Sequence, residues 1–451
     1  MRRLLLVWLS VCLAFGLSGC ITLDSSNLLT LPEISPGHKQ LLRLINAETA
    51  SDGWTTANPI AGENRLTMQF VDFFGDGIPE AVAFFRNSKT LQLRTALYAR
   101  TGASSYTPLC SFDLTGDQFQ RIDYADLNGD GGMELLVSIR LDTAAVYELH
   151  VFALQNSTAV ELLTTTYTDL AVFDLDGDGG CDILTINASE SCAELFSADG
   201  QAIVSRGTAP LSAEVRAPSS VQTGYLNESM PAVIADGTFT DATGTARYLS
   251  DVFVCEPGGS LVNLSYAEIF HQSFETQRTV SYPFSDSDFD GFLEFPIAIP
   301  QADPLMMGQY VRWYGYRADG SILAKSDTYH FSDGSWYFLM PDEWRDTVQI
   351  REISTNGCTG VLFTYEVGGL PQELLTLYLC SSEDALRSID VEGISATFEY
   401  RDILYAIRLP RKLSGVVPSG LYLADVDDVM ERIVFHTTSG DVIRASRLSR
   451  G

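Results

Sequence analysis

The sequence lacks most of the signatures that announce an enzyme. It has only five histidines, His38, His150, His271, His330 and His436. It also has no HExxH zinc motif, no GxSxG elbow and no glycine-rich phosphate cradle. No CxxC pair occurs, so a cysteine-based zinc site is not expected. Basic residues are scarce, with 29 Lys and Arg against 58 Asp and Glu. That balance repels phosphate backbones and anionic headgroups, which excludes nucleic acid as a partner. Ser332 and Asp333 stand near His330, but adjacency along a chain does not make a triad, which is a matter of geometry. With so many acids, no one pair can be named for glycoside cleavage. Beyond the first twenty residues no run is long and apolar enough to span a membrane.

The first twenty residues are a different case. Arg2-Arg3, an apolar stretch from Leu4 to Leu17, and Leu17-Ser18-Gly19-Cys20 follow the charged, apolar and small-residue order of an export signal. Leu-Ser-Gly-Cys resembles the lipobox of bacterial lipoproteins. The resemblance implies that Cys20 is lipidated and becomes the first mature residue, so that the protein is held on the cell membrane, facing outside the cytoplasm. Of eight Cys, Cys12 lies in the leader and Cys20 at its end. Cys358 and Cys380 stand equally far from Gly369, at the centre of a turn between two strand-like runs, so a hairpin could bridge them. Cys181 and Cys192 bracket another short turn. Free thiols acting as small apolar side chains fit both pairs equally well.

One nine-residue phrase recurs. It reads Asp126-Leu-Asn128-Gly-Asp130-Gly-Gly-Met-Glu134, then Asp174-Leu-Asp176-Gly-Asp178-Gly-Gly-Cys-Asp182, then Asp286-Ser-Asp288-Phe-Asp290-Gly-Phe-Leu-Glu294. An earlier copy, Asp72-Phe-Phe74-Gly-Asp76-Gly-Ile-Pro-Glu80, has Phe74 at position 3. The copies recur about every fifty residues, with one double gap that leaves room for a silent copy near Tyr225-Leu226-Asn227-Glu228; such periods mark propellers, solenoids or arrays. Between copies lie four short strand-like runs, as in Glu134–Leu141, Tyr147–Leu154, Ala159–Tyr167 and Asp169–Asp176. The expected fold is mainly β, a propeller-like array of four-stranded blades, with the phrase in the turn from one blade to the next. A stacked solenoid, whose rungs are much shorter, is the competing architecture.

Acids at positions 1, 3 and 5 turn three oxygens to one side, and calcium seeks six to eight oxygens at roughly 2.4 Å. Glycine at position 6 (Gly131, Gly179, Gly291) reverses the chain, and the acid at position 9 can close the shell. The strands on both sides argue against an EF-hand. The phrase in this setting resembles the FG-GAP or VCBS repeats of integrin-like propellers. That resemblance implies calcium as cofactor, held by Asp126, Asn128, Asp130 and Glu134; by Asp174, Asp176, Asp178 and Asp182; and by Asp286, Asp288, Asp290 and Glu294. The first copy retains only Asp72, Asp76 and Glu80.

The expected organisation is a signal peptide over 1–20, a tether and helix over 21–63, repeats over 64–345, and a small α+β domain over 346–451, or else a tail that completes the propeller. The helix begins at Ser35-Pro36 with Leu41, Leu42, Leu44 and Ile45 on one face. In the tail, Ser382–Arg387 and Asp425–Phe435 read as helices, with Asp425, Asp427 and Asp428 in a first turn rather than a fifth cation loop. The aromatic group Tyr310, Trp313, Tyr314, Tyr316, Trp336, Tyr337 and Trp344 suits blade packing better than a sugar- or peptide-contacting surface. The function expected is a calcium-stabilised, lipid-anchored binding or scaffold protein that presents a rigid surface to an extracellular protein or glycan. A carbohydrate-active lyase or hydrolase and a purely structural envelope role are the alternatives.

Overall fold

The computed structural model describes residues 36–50, 53–102, 105–140, 146–300, 307–355, 357–389, 393–410, 417–437 and 442–448. The leader, Cys20 and the capping residue Ser35 lie outside them. The protein is mainly β and is built of antiparallel sheets in chain order, a propeller-like array of blades. Blade one comprises Met68–Val71, Glu80–Asn87, Gln92–Gly102 and Ser105–Thr115, with Trp54–Thr56 added beside Glu80–Asn87. Blade two is Gln118–Ala125, Glu134–Arg140, Tyr147–Gln155 and Thr158–Tyr167. Blade three is Asp169–Phe173, Asp182–Asn187, Cys192–Asp199 and Ala202–Pro210, and blade four is Ser220–Asn227, Met230–Thr240, Ala246–Cys255 and Leu261–Asn263.

Burial on both faces explains the composition of the second strands. In blade two, Leu135, Val137 and Ile139 pack with Val82, Phe84 and Phe119. Leu136 points the other way, to Leu170, Ile183 and Phe196. Blade three repeats this: Ile183 faces backward, while Leu184 and Ile186 face Val233 and Phe253 of blade four. A strand buried on both faces reads as a continuous apolar run, and a period of two sends alternate residues to alternate neighbours. Four-stranded units therefore form layers with a core between each pair.

The fifth sheet runs Phe295–Ala298, Gln309–Tyr316, Ile322–His330, Trp336–Met340, Ile433–His436 and Val442–Arg444, and the sixth holds Val348–Thr355, Cys358–Val367, Leu370–Cys380, Ile403–Arg408 and Ala396–Tyr400. The last third is α+β in content, yet it is tied to the array: Ile433–His436 pairs with Trp336–Met340, and one core joins Tyr329, Phe338, Phe363, Leu375, Val429 and Phe435. Here the helical reading of Asp425–Phe435 needs correction. The helix spans Val426–Arg432, capped by Asp425, which accepts from the Asp428 N–H, and Ile433 begins a strand. Open backbone positions beside Trp336–Met340 take up β-branched Ile433 and Val434 in preference to another helical turn.

The two ends of the array are covered by helices. Leu41 and Ile45 of α1 (Pro36–Thr49) lie on Ala81, Ala83 and Phe85, the outward face of blade one. Ala385 of α2 (Glu383–Ser388), capped by Ser382, and Ile389 just beyond it lie on Cys358, Tyr378, Cys380 and Ala406 of the sixth sheet. Among the described residues, no core cluster joins the last sheet to the first, and no helix is long and apolar enough to cross a membrane.

Candidate metal centres

Each acidic phrase is a hairpin loop inside one blade. The residue before position 1 pairs with position 9: Val71 with Glu80, Ala125 with Glu134, Phe173 with Asp182, and Ser285 with Glu294. The expectation that the phrase bridges two blades is therefore out of phase by one strand. Only Thr168 separates the last strand of blade two from the first of blade three, and a strand reading along the sequence does not say which neighbour pairs. The silent copy does fall at the equivalent turn, between Ser220–Asn227 and Met230–Thr240.

The loops share one hydrogen-bond pattern. The carboxylate at position 1 accepts from the N–H of the position 6 glycine, at 2.7 Å for Gly77 and Gly131, 3.1 Å for Gly179 and 3.0 Å for Gly291. Position 5 accepts from the N–H of position 7 at 2.8–3.0 Å. Position 9 accepts from the N–H of position 2 at 2.9–3.2 Å. These bonds hold the acids facing inward, which their mutual repulsion alone opposes. The position 6 glycines have φ between 80° and 97°, a left-handed conformation that favours glycine. Phe73, Leu127 and Leu175 at position 2 are buried and anchor the loops to the cores.

Two loops draw three carboxylates close enough to hold one metal ion. Asp174, Asp176 and Asp182 form one group and Asp286, Asp288 and Asp290 the other, each with one oxygen per residue within 4.8 Å of the rest. Asp178 and Glu294 stand outside these sets. In the Asp126 loop, Asn128 replaces a carboxylate at position 3; its amide donates to Glu134 at 3.4 Å and its oxygen accepts from the Asp130 N–H at 2.9 Å. The Asp72 loop keeps Asp72, Asp76 and Glu80 in the same pattern, while Phe74 points outward and is exposed.

The position 9 acids are all buried, and burial raises the pKa of Glu80, Glu134 and Asp182. The Glu294 carboxyl is pushed up to about 8, by burial first and then by Asp288 and Asp290. Its Oε2 accepts from Ser287, whereas its Oε1 is buried without a hydrogen-bond partner. A buried, unpaired carboxylate oxygen beside other carboxylates is costly unless a cation joins them. Oxygen-only donor sets of this kind suit a hard cation.

Consecutive loops stack. The Met133 N–H donates to the Phe73 carbonyl at 3.3 Å and the Cys181 N–H to the Asp126 carbonyl at 2.8 Å. A Cβ on Gly132 would stand 2.8 Å from the Phe73 carbonyl oxygen, and one on Gly180 2.7 Å from that of Leu127. This close approach explains the second glycine of the Asp126 and Asp174 copies. The Asp72 copy follows no loop and the Asp286 copy follows the silent turn, and they carry Ile78 and Phe292 there. Beside the column, a cavity of about 540 Å³ opens against Phe74, Asn128, Asp130, Leu162 and Gln201.

Lys325 was not signalled by the sequence. Its ammonium pairs with Asp290 and lies 4.0 Å from Asp288, although it is more than thirty residues from the loop. Other candidates resolve differently. Tyr310, Trp313, Tyr316, Trp336, Tyr337 and Trp344 are buried, so the aromatic group is packing and not a contact surface. His330 is buried, bonded to Thr328 and stacked on Tyr282, and burial pushes its pKa down to about 3. Cys358 and Cys380 are register partners and form a disulfide, whereas Cys181 and Cys192 are free.

No protein-family model and no curated protein matches the chain. Among solved structures, an exotype rhamnogalacturonan lyase, YesX, aligns at 12% identity and TM-score 0.29, covering 80% of this chain and 73% of its own. The rhamnogalacturonan lyase YesW aligns at 11% and 0.26, covering 79% and 91%. An exo-β-1,3-galactanase from Phanerochaete chrysosporium aligns at 14% and 0.24, covering 71% and 78%.

Proposed function

We propose that the protein is a calcium-stabilised, lipid-anchored scaffold outside the cytoplasm, whose blade array presents a rigid surface to a protein or glycan partner. The observation that carries this reading is the inward-facing acidic loop, repeated at one position in four blades. Calcium at each loop would join acids that otherwise repel, and an ion bound only by the folded chain stabilises it by mass action. Loops of the weaker class are filled at extracellular calcium concentrations. The Cys358–Cys380 disulfide supports an oxidising compartment, and Cys20 in its lipobox-like setting supplies the anchor.

Elemental analysis and thermal melting test the calcium half. Chelation is expected to lower the melting temperature and millimolar calcium to restore it, by about 2.7 kcal/mol for a site at a hundredfold excess over its dissociation constant. Asp176→Ala is expected to remove one bound ion per chain and Asp427→Ala none. A calcium ratio near zero, or a melting curve indifferent to chelator, defeats the reading. Cys20→Ser tests the anchor: the protein is expected to leave the membrane fraction, and unchanged detergent-dependent fractionation refutes lipidation.

A further inference from the structure

The fourth acidic loop carries its own counter-ion. The feature that puts it there recurs. In blades one, two and three, the pairing of the third and fourth strands skips one residue of the fourth: Leu109, Leu162 and Arg206. In the fifth sheet, where Phe295–Ala298 follows its loop as the second strand does elsewhere, the pairing of Gln309–Tyr316 with Ile322–His330 skips Lys325. A β-bulge of this kind redirects a side chain. In this fold the bulge faces the blade's acidic loop: Leu162 lines the cavity beside Asn128 and Asp130, and the charge of Arg206 reaches Asp176. Only the lysine forms an ion pair with its loop, through Asp290 and, at 4.0 Å, Asp288.

The same loop holds a second, independent pointer to a cation ligand. The Glu294 side chain is 0% exposed, and its Oε1 has no partner, so one ammonium does not satisfy the four acids Asp286, Asp288, Asp290 and Glu294. Next to Lys325 lies a cavity of about 300 Å³, bordered by Asp342, Glu343 and Met340. Arg432 also borders it and Asp342 already pairs with Arg345 at 3.1 Å, so Glu343 is the acid there that receives an ammonium leaving the loop.

We infer that Lys325 is a tethered competitor for the Asp286 loop: it neutralises the acids when no metal is bound, and a divalent cation must displace it toward Glu343. This rests on the calcium reading above. The consequence is a graded set of loops. The Asp174 loop, with four acids and no ion-paired lysine, fills first, and the Asp286 loop fills only at higher calcium, because affinity follows the net ligand charge.

The test is calorimetric titration of calcium into the full chain carrying Asp72→Ala, Asp126→Ala and Asp176→Ala, which leaves the Asp286 loop. Lys325→Met in that background is expected to bind calcium on the order of tenfold more tightly, and Lys325→Arg, which keeps the charge, to bind as weakly as the parent. In the otherwise natural chain, Lys325→Met is expected to lower the melting temperature without calcium and to leave it unchanged with saturating calcium. Equal affinity for the Met and Lys forms, tighter binding by the Arg form, or an equal loss of melting temperature with and without calcium each overturns the inference. In those cases calcium still binds the natural chain. A natural chain that binds none fails the calcium reading itself.

Discussion

The first three blades and the junction of blade four with the fifth sheet solve one problem in two ways. Among the first three, adjacent blades are locked on one rim by backbone alone, with Phe73 and Asp126 carbonyls accepting from the next loop and no room for a Cβ at Gly132 or Gly180. At the junction the acidic phrase lapses in blade four, yet the Leu293 N–H still donates to the Tyr225 carbonyl of the silent turn at 2.8 Å, and buried side chains are added to that bond. Asp251, fully buried on the side of blade four that meets blade three, with Leu249 and Phe253, accepts from the Ser212 N–H at 2.8 Å and from the Ser212 and Ser273 hydroxyls at 2.6 Å. Toward the fifth sheet the fastening is an ion pair. Asp236 accepts from Arg278 at 2.9 Å and from Ser220 at 2.7 Å, and both members of the ion pair are buried. A repeat can therefore lose its acidic loop without losing its blade, with one backbone bond kept and buried polar groups from distant segments added to it.

Breaking the junction should cost most. Arg278→Met leaves Asp236 buried and uncompensated, and a loss of about 3–5 kcal/mol is expected in denaturant unfolding. Adding Asp236→Leu should recover much of it, since removing both charges spares the desolvation of one. A single-variant loss under about 1 kcal/mol would show that the serines suffice and that the contrast between the two fastenings is one of geometry only.

The stacked loops should yield less. Gly180→Ala drives a Cβ into the Leu127 carbonyl, and about 1–3 kcal/mol is expected as the loops shift apart. Gly180 lacks a left-handed φ, so the substitution reports contact and not backbone strain. An unchanged melting temperature would mean that the column does not fasten the blades.

The smallest effect concerns an acidic run outside both regions. Asp425→Ala removes the helix cap and should cost about 1 kcal/mol without changing the number of bound ions. Loss of an ion would make the tail a metal site after all.

Much of this was legible in the sequence, for reasons that differ from part to part. The loop acids were, because Asp174 and Asp176 act within one nine-residue phrase whose spacing is the site. The apolar run Glu134–Leu141 showed a strand, found over Glu134–Arg140, because burial on both faces leaves no alternation to misread. The phase of the blades was not legible, since Tyr167 and Asp169 leave for different sheets across a single residue. Nor was Ile433, whose helical spacing was outweighed by an open strand edge a hundred residues earlier. Lys325, Arg278 and Asp251 act across distances in sequence that no local pattern records. The double glycine could have been read: Gly131-Gly132 and Gly179-Gly180 mark the loops that pack against a preceding acidic loop, and Gly291-Phe292 the one that packs against the silent turn.

The helices over the two outer faces have a further consequence. Among the described residues each core cluster joins sheets that follow one another in the chain, so stability is a series of layer and interface contributions. Tension applied across the two ends would pass through the interfaces one after another, so the weakest of them would set the force at which the molecule begins to come apart.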